Sequence, residues 1–451
     1  MAWAKDKDET RALQAPDASE GPYSLNIRQL LSSPLARNLA AVIGGTATAQ
    51  AVILIFSPLI TRIYSPEIFG IQGIFLALIS ILWPIAALRY PTAIVVADSE
   101  AEVRGLVRLS LWIAATTSCV IALALFGFRQ PLLALLGIEE VGPLVWFLPL
   151  ALFLVALQDT MDFRAARLGT FRVVGVVTIL HAFLVNALRA VGGLLQPIAA
   201  TLTIITSLSY GLQALMLRFG IRRHLASSSG HEAISSLFLF KKYRDFPIYR
   251  MPADLINAVS QTFPVFLVSI LFSPAGAGLF VLARSVVNLP LNLISAAVGN
   301  VFYASLADRN KNNEPLFPFV LKATLIQLLI PGAMTILVVP IFPSVFALAF
   351  GDSWRTSGHI AQWMSLLVVG MLVNIPASRA LPVIESQNLH LIFNLLIMIG
   401  GFFGMLIGYK ISDSIVGSVA GYSSVTATVH ALQTVAYIYR IRRYDRNTGF
   451  V

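Results

Sequence analysis

The segment 243–303, YRDFPIYRMPADLINAVSQTFPVFLVSILFSPAGAGLFVLARSVVNLPLNLISAAVGNVFY, decides the fold. It holds two apolar runs, 247–272 and 277–303, each long enough to cross a hydrocarbon core of roughly 30 Å, which takes about 20 helical residues. Between them, a Ser-Pro followed by Gly stops one helix and starts the next. Working outward, further apolar runs lie at 38–61, 68–92, 105–128, 143–160, 173–194 and 197–219 before it. Others lie at 318–347, 360–380, 388–409 and 415–438 after it. About twelve membrane-spanning helices with short connections account for nearly all 451 residues, leaving no room for a folded soluble domain. The fold class is an all-α integral membrane protein.

Composition agrees. The chain is 57% hydrophobic and only 12% charged, with a mean hydropathy of +0.78, so lipid must be its solvent. The single cysteine, Cys119, excludes an intrachain disulfide and, sitting in an apolar run, reads as helix packing. Residues 1–35 are polar and lack the apolar core and cleavage site of a signal peptide, so a disordered tail is expected there. The remaining organisation reads as a six-helix half at 36–220, a basic linker at 221–246, a second six-helix half at 247–440 and a tail at 441–451. With the N-terminus inside, 26 of the 32 Lys and Arg residues fall in segments on that side. Both termini and the linker are therefore expected in the cytoplasm. Topology explains the net charge of +10 without a nucleic-acid partner, which would need a basic face on a soluble module. Anionic membrane lipids are the partners such a distribution attracts.

The turn in the opening segment has a counterpart. IYSPEIFG (63–70) returns as LFSPAGAG (271–278), with Ser65, Pro66 and Gly70 displaced onto Ser273, Pro274 and Gly278. Both copies join the first two spans of their half, which points to two six-helix lobes related by an internal repeat, with a pathway between them.

These residues resemble the polysaccharide-exporter branch of the multidrug/oligosaccharidyl-lipid/polysaccharide (MOP) exporter superfamily, the Wzx-type flippases of lipopolysaccharide, O-antigen and capsule synthesis. The resemblance is carried by ITRIYSPEIFGIQGIF (60–75), ALRYPTAIVVADSEAEVRGLVRLS (87–110), ALQDTMDFRAARLGTFR (156–172), the segment 243–303, and FGDSWRTSGHIAQW (350–363). It implies a MATE-like two-lobe protein of the bacterial inner membrane. It further implies that the protein moves an undecaprenyl-diphosphate-linked oligosaccharide between leaflets by alternating access, with no cofactor and no metal. A polysaccharide polymerase and chain-length proteins are the further partners implied. Where members of the family often carry an acid two residues after the arginine of this stretch, the chain has Arg89-Tyr90-Pro91, which leaves Arg89 one candidate partner fewer.

Polar stripes mark the residues that could line the path. In the eighth span Arg284, Asn288, Asn292 and Ser295 share one helical face. Arg284 lies about 12 Å from the outer end of its span. There an unpaired Arg costs about 2.5–3.5 kcal/mol, so it should face water or a partner. In the seventh span Arg250, Asp254, Asn257 and Gln261 form a second stripe, in which Arg250 and Asp254 can pair. Thr46, Gln50 and Ser57 approximate a face of the first span, and Arg89 sits at the inner end of the second. His181 is expected to be a hydrogen-bonded structural residue. Asp159, Asp162, Arg164 and Arg167 resemble a catalytic cluster but read as a solvated, alternating-charge loop.

Three rival readings are weaker. A drug or cation antiporter of the same superfamily should show deep carboxylates, whereas the deepest charge here is Arg284. A polymerase or glycosyltransferase needs a sizeable catalytic loop, and no nucleophile constellation or metal spacing is visible. A scaffold would not need polar stripes on successive helices.

Overall fold

The computed structural model describes residues 34–136, 138–225, 234–384 and 386–448. The expected tail, up to residue 33, lies outside them. Regular structure among the described residues is entirely helical. Twelve long helices carry the fold: α1 (Pro34–Ile63), α2 (Pro66–Ala86), α3 (Glu100–Leu136), α4 (Leu148–Arg167), α5 (Phe171–Leu195), α6 (Ala199–Leu225), α7 (Met251–Leu271), α8 (Pro274–Lys311), α9 (Phe317–Val338), α10 (Arg355–Ala380), α11 (Gln387–Ser412) and α12 (Ile415–Asn447). Phe126, Leu337, Leu348 and Ile411 are each more than three-quarters exposed. Lipid is the medium that covers such side chains.

Among the described residues eleven helices are long and apolar enough to cross a membrane, and α12 falls short of that apolarity. Its polar residues are turned inward instead. Ser418, Ser423, Thr426, Gln433 and Thr434 are all buried, where α12 packs on α10 and α11. The α11–α12 contact is close because Gly404, Gly408, Gly417 and Gly421 bring the two backbones together, the small-residue packing that membrane helices favour.

Helices α1–α6 pack among themselves, as do α7–α12, and α2 crosses to contact α7 and α8. One buried cluster runs through this crossing, joining Ile74 and Phe75 of α2 to Val265 and Val268 of α7 and Phe280 of α8. The two copies of the repeat have the same local structure. Ser65 caps α2 by accepting from the Ile68 amide, and Ser273 caps α8 by accepting from the Gly276 amide at 3.1 Å. Each is followed by a proline at the first helical position, where a missing N–H costs nothing.

Several boundaries depart from the sequence reading. The second span ends at Ala86 rather than 92, because Leu88 and Arg89 turn into the left-handed region (φ 48° and 59°) before the short helix Tyr90–Ala93. The ninth breaks after Val338, where Pro340 and Pro343 remove backbone donors, and resumes as Phe342–Phe350. The expected C-terminal tail is helix as far as Asn447. Asp445 there is fully buried, its carboxylate accepting from the Phe317 amide at 2.7 Å. Cys119, expected in packing, is exposed on α3.

Candidate substrate pathway between the lobes

The linker joins α6 to α7, and the face of the bundle that carries it also carries the start of α1 and the end of α12. On the opposite, far face the two repeat turns meet. A Cβ on Gly70 would overlap the Pro274 carbonyl oxygen, and a Cβ on Gly278 would overlap that of Pro66. Only glycine lets the two backbones touch there. Beside this contact the Trp354 indole donates to the Thr61 carbonyl at 3.0 Å, and Arg62 donates to the Leu348 carbonyl at 3.2 Å. Phe69 packs edge-on against Trp354 at 5.1 Å. Backbone, aromatic and hydrogen-bond contacts together close this end.

The linker face is held by charges. Arg89, carried past the end of α2 by its left-handed turn, puts Nε 2.7 Å from Asp254 Oδ2 of α7 and Nη1 3.7 Å from Asp159 Oδ2 of α4. The first approach is an ion pair off the line of a hydrogen bond, since Nε has no aligned acceptor. Its guanidinium also stacks 4.2 Å from the Trp83 ring centroid. Asp254 is shared with Arg250 at 3.1 Å. The side chains of Arg89, Asp159 and Asp254 are 11, 13 and 19% exposed, so this charge cluster is largely withdrawn from water, while Arg250 at 62% is not. The sequence reading of Asp159, Asp162, Arg164 and Arg167 as a solvated loop is thereby corrected, because all four belong to α4. Arg167 binds the carbonyls of Ile94, Val95 and Ala97, terminating the turn after Tyr90–Ala93.

The linker is more than a tether. Its helix Ser236–Lys242 docks on the first lobe: Lys242 bridges Asp98 at 2.7 Å and Glu102, Tyr243 donates to Glu102 at 2.7 Å, and Tyr90 donates to the Phe240 carbonyl at 3.0 Å. Asp98 and then Glu102 hold the Lys242 ammonium well above the usual lysine range. Burial pushes the Tyr90 hydroxyl up to about 12, keeping it a donor. A five-residue π-helical turn, Phe246–Arg250, then leads into α7.

Between the two closures lies the polar interior. Arg284 of α8 donates from Nη1 to the Gln261 carbonyl at 2.6 Å and from Nη2 to Gln261 Oε1 at 3.2 Å. The two sequence stripes therefore meet at that single point. Among the described residues no carboxylate lies within ion-pair distance of Arg284. Asn257, Asn288, Asn292 and Gln50 are half-buried or exposed, with no side-chain hydrogen bond among the described residues, and the side chain of Ser295 lies outside them. Arg250 and Asp254 pair as their spacing allows, and Arg89, read separately at the end of the second span, joins them at the linker-face latch. His181 bonds the Ser209 carbonyl at 3.0 Å, as a structural histidine would.

Two polar groups escaped the sequence reading. In the first lobe Arg189 sits within α5. It shares Thr206 Oγ1 with Gln72, at 3.0 and 2.9 Å. In the second lobe Asn374, His430, Gln433, Tyr437 and His390 form one network across α10, α12 and α11. Gln433 Oε1 accepts from Asn374 Nδ2 and lies 3.0 Å from His430 Nδ1; Gln433 Nε2 donates to the Tyr437 hydroxyl at 2.7 Å, which lies 2.9 Å from His390 Nδ1. Spacing alone offers a partial signal, since His430, Gln433 and Tyr437 share a helical face. Their partners on α10 and α11 leave no such trace.

A family model described as polysaccharide biosynthesis protein matches residues 59–359. The succinoglycan biosynthesis transport protein ExoT of Rhizobium meliloti (strain 1021) is 23% identical over 344 residues, covering 73% of this chain and 64% of that protein, so the chain spans less than two thirds of its length. Among solved structures, an inward-facing multidrug resistance MATE family transporter of the MOP superfamily matches with a TM-score of 0.68 at 14% identity, covering 88% of this chain and 95% of that one. The lipid II flippase MurJ in an inward closed conformation matches with a TM-score of 0.68 at 12% identity, covering 90% and 89%. At these identities the likeness is one of fold.

Proposed function

Because the chain belongs to the polysaccharide biosynthesis protein family, we propose that it is a flippase. On this reading it carries an undecaprenyl-diphosphate-linked oligosaccharide across the bacterial inner membrane for surface-polysaccharide synthesis, with both termini in the cytoplasm. The observation that carries this reading is the unequal closure of the two ends of the lobe interface. The far end is closed by backbone against backbone at Gly70 and Gly278, the linker end by Arg89 against Asp254 and Asp159. Side chains part at lower cost than a packed backbone contact, so the interface is built to open first toward the linker face, where lipid-linked sugar would be made.

The chemistry of such a substrate matches the interior. Sugar hydroxyls and a diphosphate cannot cross hydrocarbon, while a polyprenyl tail stays in it. A polar interface flanked by lipid accommodates both. Arg284, free of any carboxylate among the described residues, suits a diphosphate, whose oxygens match a guanidinium fork. The runner-up, a drug or cation antiporter, is supported less well, because Asp254 and Asp159 already share Arg89.

Deletion of the gene in the native host, followed by isolation of undecaprenyl-linked intermediates, tests the proposal. Lipid-linked oligosaccharide should accumulate on the cytoplasmic side and surface glycan should disappear. Unchanged surface glycan together with raised drug sensitivity would favour the antiporter instead.

A further inference from the structure

The end of α12 carries four arginines, Arg440, Arg442, Arg443 and Arg446. Two of them, with Tyr444 and Asn447, line one wall of a pocket of about 70 Å³ whose other wall is Ile384 and Ser386 from the α10–α11 connection. Arg440, Arg443, Tyr444 and Asn447 fall at i, i+3, i+4 and i+7, a single helical face. Arg440 Nε donates to Ser386 Oγ at 3.2 Å, which fixes the guanidinium and leaves its terminal N–H groups for another acceptor. Tyr444 is fixed in turn by donating to Asn310 Oδ1 at 3.0 Å. Among the described residues neither Arg440 nor Arg443 has a carboxylate partner. The nearby Asp445 is buried and engaged by the Phe317 amide.

We propose that this pocket binds a phosphate group, namely the phosphodiester of an anionic phospholipid headgroup. Two guanidinium groups lining one pocket, with the Asn447 amide beside them, are a set that recognises phosphate oxygens. The pocket lies where α10, α11 and α12 end together on the linker face, at the level of lipid headgroups. Positive charge alone would draw anionic lipid to all four arginines equally. The pocket makes a sharper claim: Arg440 and Arg443 hold the lipid, and Arg442 and Arg446 do not. Arg442 instead lies over the Phe317 ring at 5.4 Å. This inference does not depend on what the protein transports.

The test uses the purified full-length chain in neutral detergent, titrated with phosphatidylglycerol, with phosphatidylcholine or with inorganic phosphate. Retention is read by native mass spectrometry and protection by thermal unfolding. Phosphatidylglycerol should bind in preference to phosphatidylcholine. Arg443→Gln, an exposed substitution that spares folding, should weaken retention roughly fivefold, the equivalent of about 1 kcal/mol for one charge near a membrane surface. Arg440→Gln should do the same, and Arg446→Gln should leave retention unchanged. Protection by millimolar inorganic phosphate alone, lost in Arg443→Gln, would support the site with a free anion as its source. An equal effect of Arg446→Gln and Arg443→Gln would reduce the observation to general surface charge and overturn the proposal. Glu385 lies outside the described residues, so its charge enters through Glu385→Gln: binding seen only in that variant would mean the native pocket is already neutralised, and the proposal would fall.

Discussion

Gly70 and Gly278 occupy equivalent positions in the two copies of one repeat, and each lies against the proline carbonyl of the other's copy, Pro274 and Pro66 respectively. The two turns are thus each other's packing partner. The same residues that cap and start α2 and α8 also form the place where the lobes touch, so closure of the far face is tied to the helix-starting turn itself.

Gly70→Ala and Gly278→Ala should each prevent that closure. A methyl group would have to displace backbone, and overpacking of this kind costs about 1–3 kcal/mol. Gly73 offers a control, because a Cβ there meets the end of the Val281 side chain at 2.8 Å, and a side chain can move. In a Cys119→Ser background, a cysteine at Asn288 should react with an impermeant reagent from the far face much faster in the Gly70 and Gly278 variants than in Gly73→Ala. Equal rates in all three would remove the repeat contact from gating.

The linker-face latch predicts a second asymmetry. Asp254→Asn leaves Arg89 with Asp159 alone, at 3.7 Å, and leaves Arg250 without its partner. Arg89→Gln leaves Asp254 paired with Arg250. Either change weakens the latch, so a cysteine at Asn257 should label more readily from the linker face in both variants. The reversed pair, Arg89→Asp with Asp254→Arg, should recover part of the protection. Labelling that is indifferent to all of these changes would mean that the charges do not hold the lobes together.

Helices, their order and the turn joining the first two spans of each lobe were legible because each rests on local chemistry: apolar length, a Ser cap, a proline at the first position. Arg284 was legible as a deep charge for the same reason. What escaped depends on contacts between distant segments. Asp159 looks solvated beside Asp162 and Arg164 until Arg89 is placed next to it from 70 residues away. The docking of Ser236–Lys242 on Asp98 and Glu102 is hidden in a segment that reads simply as basic. Helix α12 was legible as the run 415–438, but the packing of its polar face on α10 and α11 was not.

The network around Gln433 should be a stability element of the second lobe. Gln433 is 1% exposed and Tyr437 fully buried, and Gln433 alone contacts Asn374, His430 and Tyr437. Gln433→Leu strips Asn374 and His430 of this partner and leaves Tyr437 with His390 alone, at about 1–3 kcal/mol for each buried group left unsatisfied. The variant should show lower membrane abundance and a thermal transition several degrees lower in detergent, whereas Thr428→Val, on an exposed part of the same helix, should not. A Gln433→Leu protein as stable as the parent would show that water replaces the lost bonds.

Arg284 has two roles to be separated, because it both braces α7 through Gln261 and presents an unneutralised charge in the interior. Gln261→Ala removes one of the two hydrogen bonds, that to Oε1 at 3.2 Å, but keeps the charge and the bond to the carbonyl at 2.6 Å. Arg284→Ala removes all three. If the charge contacts the substrate diphosphate, Gln261→Ala should export surface glycan at close to parental levels. Arg284→Ala should then reach near-normal abundance and export none. Arg284→Lys should retain part of the activity, since an ammonium matches a diphosphate less well than a guanidinium fork. Asn288→Ala, one turn along the same face, should give a milder defect. Protein level and glycan output measured together in a deletion strain separate the roles. Loss of the Arg284→Ala protein itself would assign the residue to bracing, and full export at equal abundance would remove it from transport.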